Sequence, residues 1–451
     1  MKVIIVGCGK IGQTLIESLI SEGHDVVAVD SDRAVTGTIS NIYDAICVTG
    51  SATDFETLSE AGVNEAELFV SVTGSDETNM LSCFIAKKLG AKHTVARIRN
   101  PEIKGKNLEF IKHQLDISLI INPESLAAQE IFNILKLPSA VNIETFSRRN
   151  FEMIELIIHG DSPLDGMELK ELRKKFSAKF LVCAVTRDGT TYIPGGDFVL
   201  RTGDKIGLTA EISEIHKLLR EMGILRKQAK KVMILGASRM AVYLSRMLLK
   251  SGNDVKIVDY NKERCDEIAN VLPDATVIHG DGTSREVLLE EGIESVDAFI
   301  GLTGMDEQNI LISFFASSHN VPKVISKINR PELEQMAYKL GLETIVSPKK
   351  TVSDVVLRYA RALHNSFGSN VETLYKLMDG KTEALEFKVS SDFKSIGIPL
   401  KSLNIKKNIL IAGILRGRHP ILPSGDDAIM AGDNVVIITA QRINDLSDIL
   451  E

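Results

Sequence analysis

The stretch Lys2-Val3-Ile4-Ile5-Val6-Gly7-Cys8-Gly9-Lys10-Ile11-Gly12 decides the fold of this chain. Its first five residues have the unbroken apolar run of a strand buried on both faces. Its glycines fit G-x-G-x-x-G. A helical stretch, Gln13 to Ser21, follows, and a second apolar strand, Asp25 to Val29, ends on Asp30. Strand, glycine turn, helix and strand closing on an acid is the context in which these glycines serve a nucleotide. Gly7 permits the tight turn, Gly9 leaves room for a pyrophosphate, and Gly12 lets helix and strand pack closely. Phosphates would sit on the unpaired amides of the helix N-terminus, above Lys10 and Ile11. Asp30 would accept from ribose hydroxyls, and its charge disfavours a 2′-phosphate. The competing reading is a doubly wound fold whose tight turn stays empty.

The totals bound the rest. A chain of 451 residues implies roughly three or four domains. With 44% hydrophobic and 25% charged residues it has a globular composition. A net charge of −7, no Trp and few aromatics argue against a nucleic-acid partner, whose phosphates need cationic neutralisation. Cys8, Cys47, Cys83, Cys183 and Cys265 form no C-x-x-C and read as reduced, buried small hydrophobes. Cys8, beside a helix N-terminus that would lower its pKa, is the candidate for a redox sensor. The motif begins almost at Met1, so no leader segment is expected, and no uncharged run reaches the ~20 residues of a bilayer span. A soluble protein is expected, reaching any membrane only through a partner.

Strands and helices alternate onward. Strands are expected at Ala45–Val48, Leu68–Val72, Thr94–Ile98 and Asp116–Ile121. Thr53 and Glu56 have capping-box spacing, Asn100-Pro101-Glu102 is expected to start a helix, and Asn122-Pro123 caps a long amphipathic one. Such alternation means a parallel sheet covered on both faces. From about Val141 strands dominate, with turns at Pro194-Gly195-Gly196-Asp197 and Arg201-Thr202-Gly203-Asp204, which implies a small α+β domain. Ile224 to Lys230 reads as an exposed linker. The plan then repeats. Asp259 lies 229 residues after Asp30, Thr303 lies 230 after Thr73, and Lys327 lies 230 after Arg97. Thr283 and Glu286 repeat the capping spacing, and Gly425-Asp426 and Gly432-Asp433 repeat the small-domain turns. The expected fold is therefore α/β, a tandem duplication of a Rossmann-like domain and a small α+β domain. The expected boundaries are 1–138, 139–225, 230–366 and 367–451.

Recurring polar residues at strand ends mark the ligand crevice. Arg97 and Lys327 are read as phosphate contacts, or else as partners of Glu102 and Glu332. Thr73 and Gly74 would floor the cleft, or else turn the chain and cap a helix. Ser51 and Asp281 would lie by the adenine, or else cap helices. The second glycine turn, Gly236-Ala237-Ser238-Arg239-Met240-Ala241, departs from the first. Ser238 stands where a pyrophosphate wants glycine, while Arg239 could supply phosphate charge. Weaker binding or an empty pseudo-site is expected there. No metal-binding histidine spacing, G-x-S-x-G elbow or P-loop lysine motif is present. Nothing resembles a substrate pocket for hydride transfer.

Together, G-C-G-K-I-G, Asp30, the run Val72–Asn79, Ala96–Pro101 and the turns of Pro194–Asp204, all duplicated in order, resemble the RCK (KTN) family. The tandem arrangement resembles the regulatory subunits of Trk-type potassium uptake systems. That resemblance implies a cytoplasmic, non-enzymatic protein that binds NAD(H), ATP or ADP. It further implies a homo-oligomeric, tetrameric ring beneath a membrane-embedded Trk-type transporter, with the nucleotide controlling the pore. By motif, the resemblance assigns Gly7, Gly9, Lys10, Ile11, Asp30, Ser51, Thr73, Gly74 and Arg97 to one site. Gly236, Ser238, Arg239, Asp259, Asp281, Thr303 and Lys327 are assigned to the other. A soluble NAD-dependent oxidoreductase is the alternative function.

Overall fold

The computed structural model describes residues 1–146, 151–365, 371–378, 382–417, 419–441, 443 and 445–451. The chain divides into two compact units: Met1–Phe132 with Lys230–Ala360, and Asn133–Ala229 with Arg361–Glu451.

The first unit contains both copies of the nucleotide-fold pattern. The first copy runs β1 (Lys2–Val6), α1 (Lys10–Ser21), β2 (Asp25–Asp30), α2 (Arg33–Ile42), β3 (Ile46–Thr49), α3 (Phe55–Glu60), β4 (Leu68–Ser71), α4 (Asp76–Leu89), β5 (His93–Arg97), α5 (Lys106–Gln114), β6 (Leu119–Ile121) and α6 (Pro123–Lys136). Its strands lie in the order β3-β2-β1-β4-β5-β6, all parallel. This doubly wound order reverses direction beside β1, which places a crevice at the carboxyl ends of β1 and β4. Val3, Ile4, Ile5 and Val6 are buried on both faces, which is why β1 shows no alternation. Leu15, Ile16 and Leu19 give α1 the apolar stripe that packs onto the sheet.

The expected helix start at Pro101 is not found. Asn100 turns the chain instead, its side chain accepting from Glu102 N–H at 2.9 Å, and α5 waits until after Gly105. Asp116 adopts a left-handed φ of 51°, so β6 is shorter than the expected Asp116–Ile121. Thr53 is not the cap of α3. Asp54 is, taking the Thr57 amide at 2.9 Å and the Thr57 hydroxyl at 2.8 Å.

The second copy runs β12 (Lys231–Leu235), α9 (Arg239–Lys250), β13 (Asp254–Asp259), α10 (Lys262–Val271), β14 (Thr276–His279), α11 (Arg285–Glu290), β15 (Ala298–Gly301), α12 (Asp306–Ser318), β16 (Lys323–Lys327), α13 (Pro331–Lys339), β17 (Ile345–Val346) and α14 (Pro348–Asn365). Its order, β14-β13-β12-β15-β16-β17, is that of the first copy. Here Pro331 does start a helix, because no Gly105-like interruption follows it. Thr283 does not cap α11, whose N-cap residue is Ser284.

The copies are joined by α14. Thr351 donates to Glu130 on α6 at 2.9 Å, Ser353 meets Ser18 on α1 at 2.9 Å, and Tyr359 meets His93 at 3.3 Å. From α9, Tyr243 accepts from Asn122 at 3.0 Å and donates to the Arg99 carbonyl at 3.2 Å.

The second unit pairs two antiparallel sheets. One contains β7 (Asn142–Phe146), β8 (Phe151–Ile157), β9 (Leu181–Arg187), β10 (Thr190–Tyr192) and β11 (Lys205–Glu211), with α7 (Leu169–Lys175) and α8 (Ile212–Glu221). The other contains β18 (Val371–Leu377), β19 (Thr382–Lys388), β20 (Ile409–Arg416), β21 (His419–Ile421) and β22 (Asn434–Thr439). Phe151, Met153, Cys183 and Ala184 share one core with Leu377, Ala384, Ala412, Val436 and Ile438. A Cβ on Gly413 would come within 2.5 Å of the Phe151 ring, so only glycine permits this contact. Buried Glu155 accepts from the Met378 amide at 2.9 Å and from Lys205 at 2.7 Å, satisfying the charge it brings inside. The repeated turn aspartates are structural: Asp204 takes Arg187 bidentately at 2.7 Å, and Asp433 takes Arg416 at 2.9 and 3.0 Å.

Burial pushes the Glu130 carboxyl up from 4.5 to about 7. Asp354 and Glu334 push the same way, while Thr351 and Lys350 oppose. Between those values only the folded protein holds the proton, so stability falls as pH rises and the loss is complete above the folded value. Glu130→Gln mimics the protonated form. It is expected to raise the melting temperature by about 2–4 °C at pH 8, with the gain vanishing near pH 4.5. An equal shift at both pH values in thermal melts would contradict this.

Candidate functional site

The turn after β1 passes so close to β4 that a Cβ on Gly7 would lie 2.7 Å from the Thr73 amide nitrogen. Gly7 also has φ +90°, a second reason for glycine. Gly12 leaves no room for a Cβ against the Gly7 carbonyl. Gly9 differs. A Cβ there would meet nothing within 4 Å, because it would project into open space above α1. Gly9 is also the N-cap of α1 and brings no side chain to occupy the first-turn amides. They remain available to an anion.

Asp30 accepts from Cys8 N–H at 2.7 Å and Asp32 N–H at 2.9 Å, which fixes its carboxylate at the cleft edge. Cys8 itself is fully buried. Burial, reinforced by Asp30, pushes its thiol up to about 12. Cys8 is thus the buried small hydrophobe expected of the cysteines, and its candidacy as a redox sensor is overturned, because desolvation outweighs the helix N-terminus.

Across the cleft, Asn79 is fully buried at the start of α4. Its side-chain oxygen accepts from Thr73 N–H at 2.8 Å and from the Thr73 hydroxyl at 2.7 Å. Its amide donates to the Arg97 carbonyl at 2.9 Å. One side chain thus ties the ends of β4 and β5. Thr73 is held by this knot and does not cap α4, a role taken by Ser75. Asp76 accepts from Arg99 N–H at 2.8 Å and Asn100 N–H at 2.9 Å, fixing the chain after β5. Asn309 and Asp306 repeat both arrangements, Asn309 on Thr303 and the Lys327 carbonyl, Asp306 on the amides of Asn329 and Arg330. Neither aspartate nor asparagine was singled out from the sequence, although both recur at a shift of 230.

These elements surround a cavity of about 1140 Å³ within the first unit. Gly7, Gly9, Lys10, Ile11, Asp30, Ser51, Thr73, Gly74 and Arg97 all line it. The second copy contributes Ser238, Arg239 and Lys327 to the same cavity. Gly236, Asp259, Asp281 and Thr303 are not among its lining residues. Asp281 instead takes the amide and hydroxyl of Thr283 at 2.9 and 2.7 Å. Neither Arg97 nor Lys327 pairs with Glu102 or Glu332 among the described residues. Arg97 reaches the Thr73 carbonyl at 3.5 Å, and its Nε has no partner.

Lys10, Arg97, Arg239, Arg264, Lys327 and Lys349 give the lining six cations against Asp30, Glu124 and Glu267. Burial lowers the Arg97 guanidinium from its usual range, Arg99 adds to this, and Arg239 contributes from the other copy. Burial likewise lowers Lys349, and Lys10 adds to it from across the cavity. Cations concentrated on low-dielectric walls attract a polyanion. Glu124 and Lys349 were both missed from sequence; each follows the proline that opens its helix, a signal that could have found them.

The fold and this cleft define a duplicated nucleotide-fold protein with an anion-attracting cavity. The TrkA-N domain model matches residues 3–123 and 232–348, and the TrkA-C domain model matches residues 153–223 and 384–451. The chain belongs to the TrkA family. A Trk system potassium uptake protein TrkA homolog of Archaeoglobus fulgidus is 30% identical over 437 residues, 97% of each chain. The Trk system potassium uptake protein TrkA of Haemophilus influenzae is 29% identical, over 98% of this chain and 97% of its own. Among solved structures, the GsuK RCK domain is 19% identical with a TM-score of 0.63, covering 97% of this chain and 92% of that one. The GsuK channel bound to NAD is 18% identical with a TM-score of 0.62, covering 97% and 76%. These two structures share the fold.

Removing the Asn79 amide leaves a buried strand-end carbonyl and amide unpaired. Asn79→Ala is expected to destabilise the first unit by about 2–3 kcal/mol, the desolvation cost of such orphaned groups. Exposed Leu81, two residues away, should cost less than about 0.5 kcal/mol as Ala. Denaturant titration of both variants checks the contrast.

Proposed function

We propose that this chain is a nucleotide-binding regulatory subunit of a potassium uptake system, and that it is not an enzyme. The observation that carries the reading is a cavity in which an uncapped helix N-terminus of one copy faces cations of both copies. The relatives named as Trk potassium uptake proteins supply the transport system, and the NAD-bound GsuK channel supports a nucleotide in this fold.

In this reading the ligand is NAD(H), ATP or ADP. Gly7, Gly9, Lys10 and Ile11 receive the pyrophosphate on backbone amides, Asp30 accepts from the ribose, and Ser51 lies beside the base. Thr73 and Gly74 form the floor, and Arg97, with Arg239 and Lys327 from the second copy, neutralises phosphate. The regulatory output is not chemistry but a preferred arrangement of the two copies. A ligand touching both favours the arrangement it fits best, and one with equal affinity for all arrangements would shift nothing. The partner is a membrane-embedded Trk-type transporter subunit, met at the cytoplasmic face by a homo-oligomeric, tetrameric ring. Among the described residues no helix is long and apolar enough to cross a membrane, so attachment is through that partner.

Calorimetric titration of Asp30→Ala with NADH and ADP should show affinity weakened by about 1–3 kcal/mol, the scale of a lost charge-assisted hydrogen bond. Unchanged affinity would remove Asp30 from the site. Purified protein given NADH and a panel of keto acids should show no steady absorbance change at 340 nm; sustained turnover would instead support the oxidoreductase.

A further inference from the structure

The second copy keeps the fold of the first but has lost the features that would let it receive a nucleotide. Ser238 is the N-cap of α9, and its hydroxyl accepts from Ala241 N–H at 3.3 Å. The Ser238 amide is turned onto the Gly236 carbonyl at 2.9 Å. The corresponding residue in the first copy, Gly9, has no side chain to make the first of these bonds. Two amides of this turn, those of Ser238 and Ala241, are therefore satisfied from within at α9.

The ribose position differs in the same sense. Asp259 accepts from Ala237 N–H at 2.6 Å and Asn261 N–H at 2.8 Å and is only 5% exposed. Asp30 makes the equivalent bonds yet remains part-exposed on the cavity. With the same two bonds, the difference lies in access: the buried Asp259 carboxylate offers a ribose no open face, and Asp30 does.

What the second copy has gained lies on the first copy's cavity. Its glycine turn lines that cavity from Ala237 to Met240, joined by Arg264, Lys327 and Lys349. Lys349 occupies, after Pro348, the place that Glu124 holds after Pro123, so the charge is reversed between the copies. Arg239 acts on Arg97, and Lys10 on Lys349, as like charges brought together across the cavity. Such confrontations are unfavourable alone and become favourable with an anion between them.

We propose that the second nucleotide-fold copy holds no nucleotide of its own and forms the phosphate-side wall of the first copy's site, so that each chain takes one nucleotide. The proposal rests on the nucleotide-binding reading above. The ligand class is a nucleotide with at least two phosphates, because the wall brings Arg239, Arg264, Lys327 and Lys349 to the cavity.

Isothermal titration of the full chain with ADP and, separately, with NADH tests it. One ligand per chain is expected for each. Arg239→Gln and Lys349→Gln, singly, should weaken ADP about 5- to 20-fold while leaving that ratio at one, and Gly9→Val should abolish binding. Circular dichroism of each variant establishes that it folds, and Arg97→Gln replaces Gly9→Val if it does not. Two ligands per wild-type chain would overturn the proposal and leave the nucleotide reading intact, as would residual binding in folded Gly9→Val. Full affinity in both wall variants would overturn it too. No binding by wild-type chain would overturn both.

Discussion

The cleft depends on one buried side-chain amide. Asn79 has no apolar reason to be inside, and its desolvation is offset because it meets the Ser71 hydroxyl, the Thr73 amide and hydroxyl and the Arg97 carbonyl together. The bonds hold the ends of β4 and β5 at a fixed separation. Gly7 then passes close to Thr73, and the uncapped end of α1 follows from that turn. Arg97, carried on the last residue of β5, inherits its position from the same knot. The polar core residue thus sets geometry that apolar packing, which is non-directional, would leave loose.

Much of this was legible in the sequence. The apolar strands, the glycine turn and the acid ending β2 required only a parallel doubly wound sheet, and the duplication was readable as a constant shift. The family followed from those motifs in order. Helix starts were less legible. Asn100-Pro101 and Asn329-Arg330-Pro331 look alike, yet only Pro331 opens a helix, because Gly105 lies downstream in one copy alone. Capping was misread for a similar reason. Thr53 and Asp54 are both good caps, and the choice falls to the one whose carboxylate reaches two Thr57 donors. Least legible was the sharing of one cavity by both copies. No local pattern says that Arg239 faces Arg97, since that depends on how α14 and α9 seat one copy on the other.

The small domains solve a related problem differently. Each antiparallel sheet has one face covered by its own helices or turns, as Ile154, Leu156 and Leu208 are by Leu218 and Leu219. The other face of each would be an exposed apolar patch, and the two close on each other through Phe151 and Met153. Glu155 and the Gly413 gap set the register of that contact.

Covalent fusion has a consequence for the residues after the two helix-opening prolines. In a dimer of identical chains, symmetry would write every substitution into both sides of the joint at once. Glutamate on one side would force glutamate on the other, and two carboxylates would face the cavity. One continuous polypeptide removes that constraint. Glu124 and Lys349 show the two sides inheriting the same position and keeping opposite signs. Duplication supplied two copies in one chain, and asymmetry became available only because either could change alone.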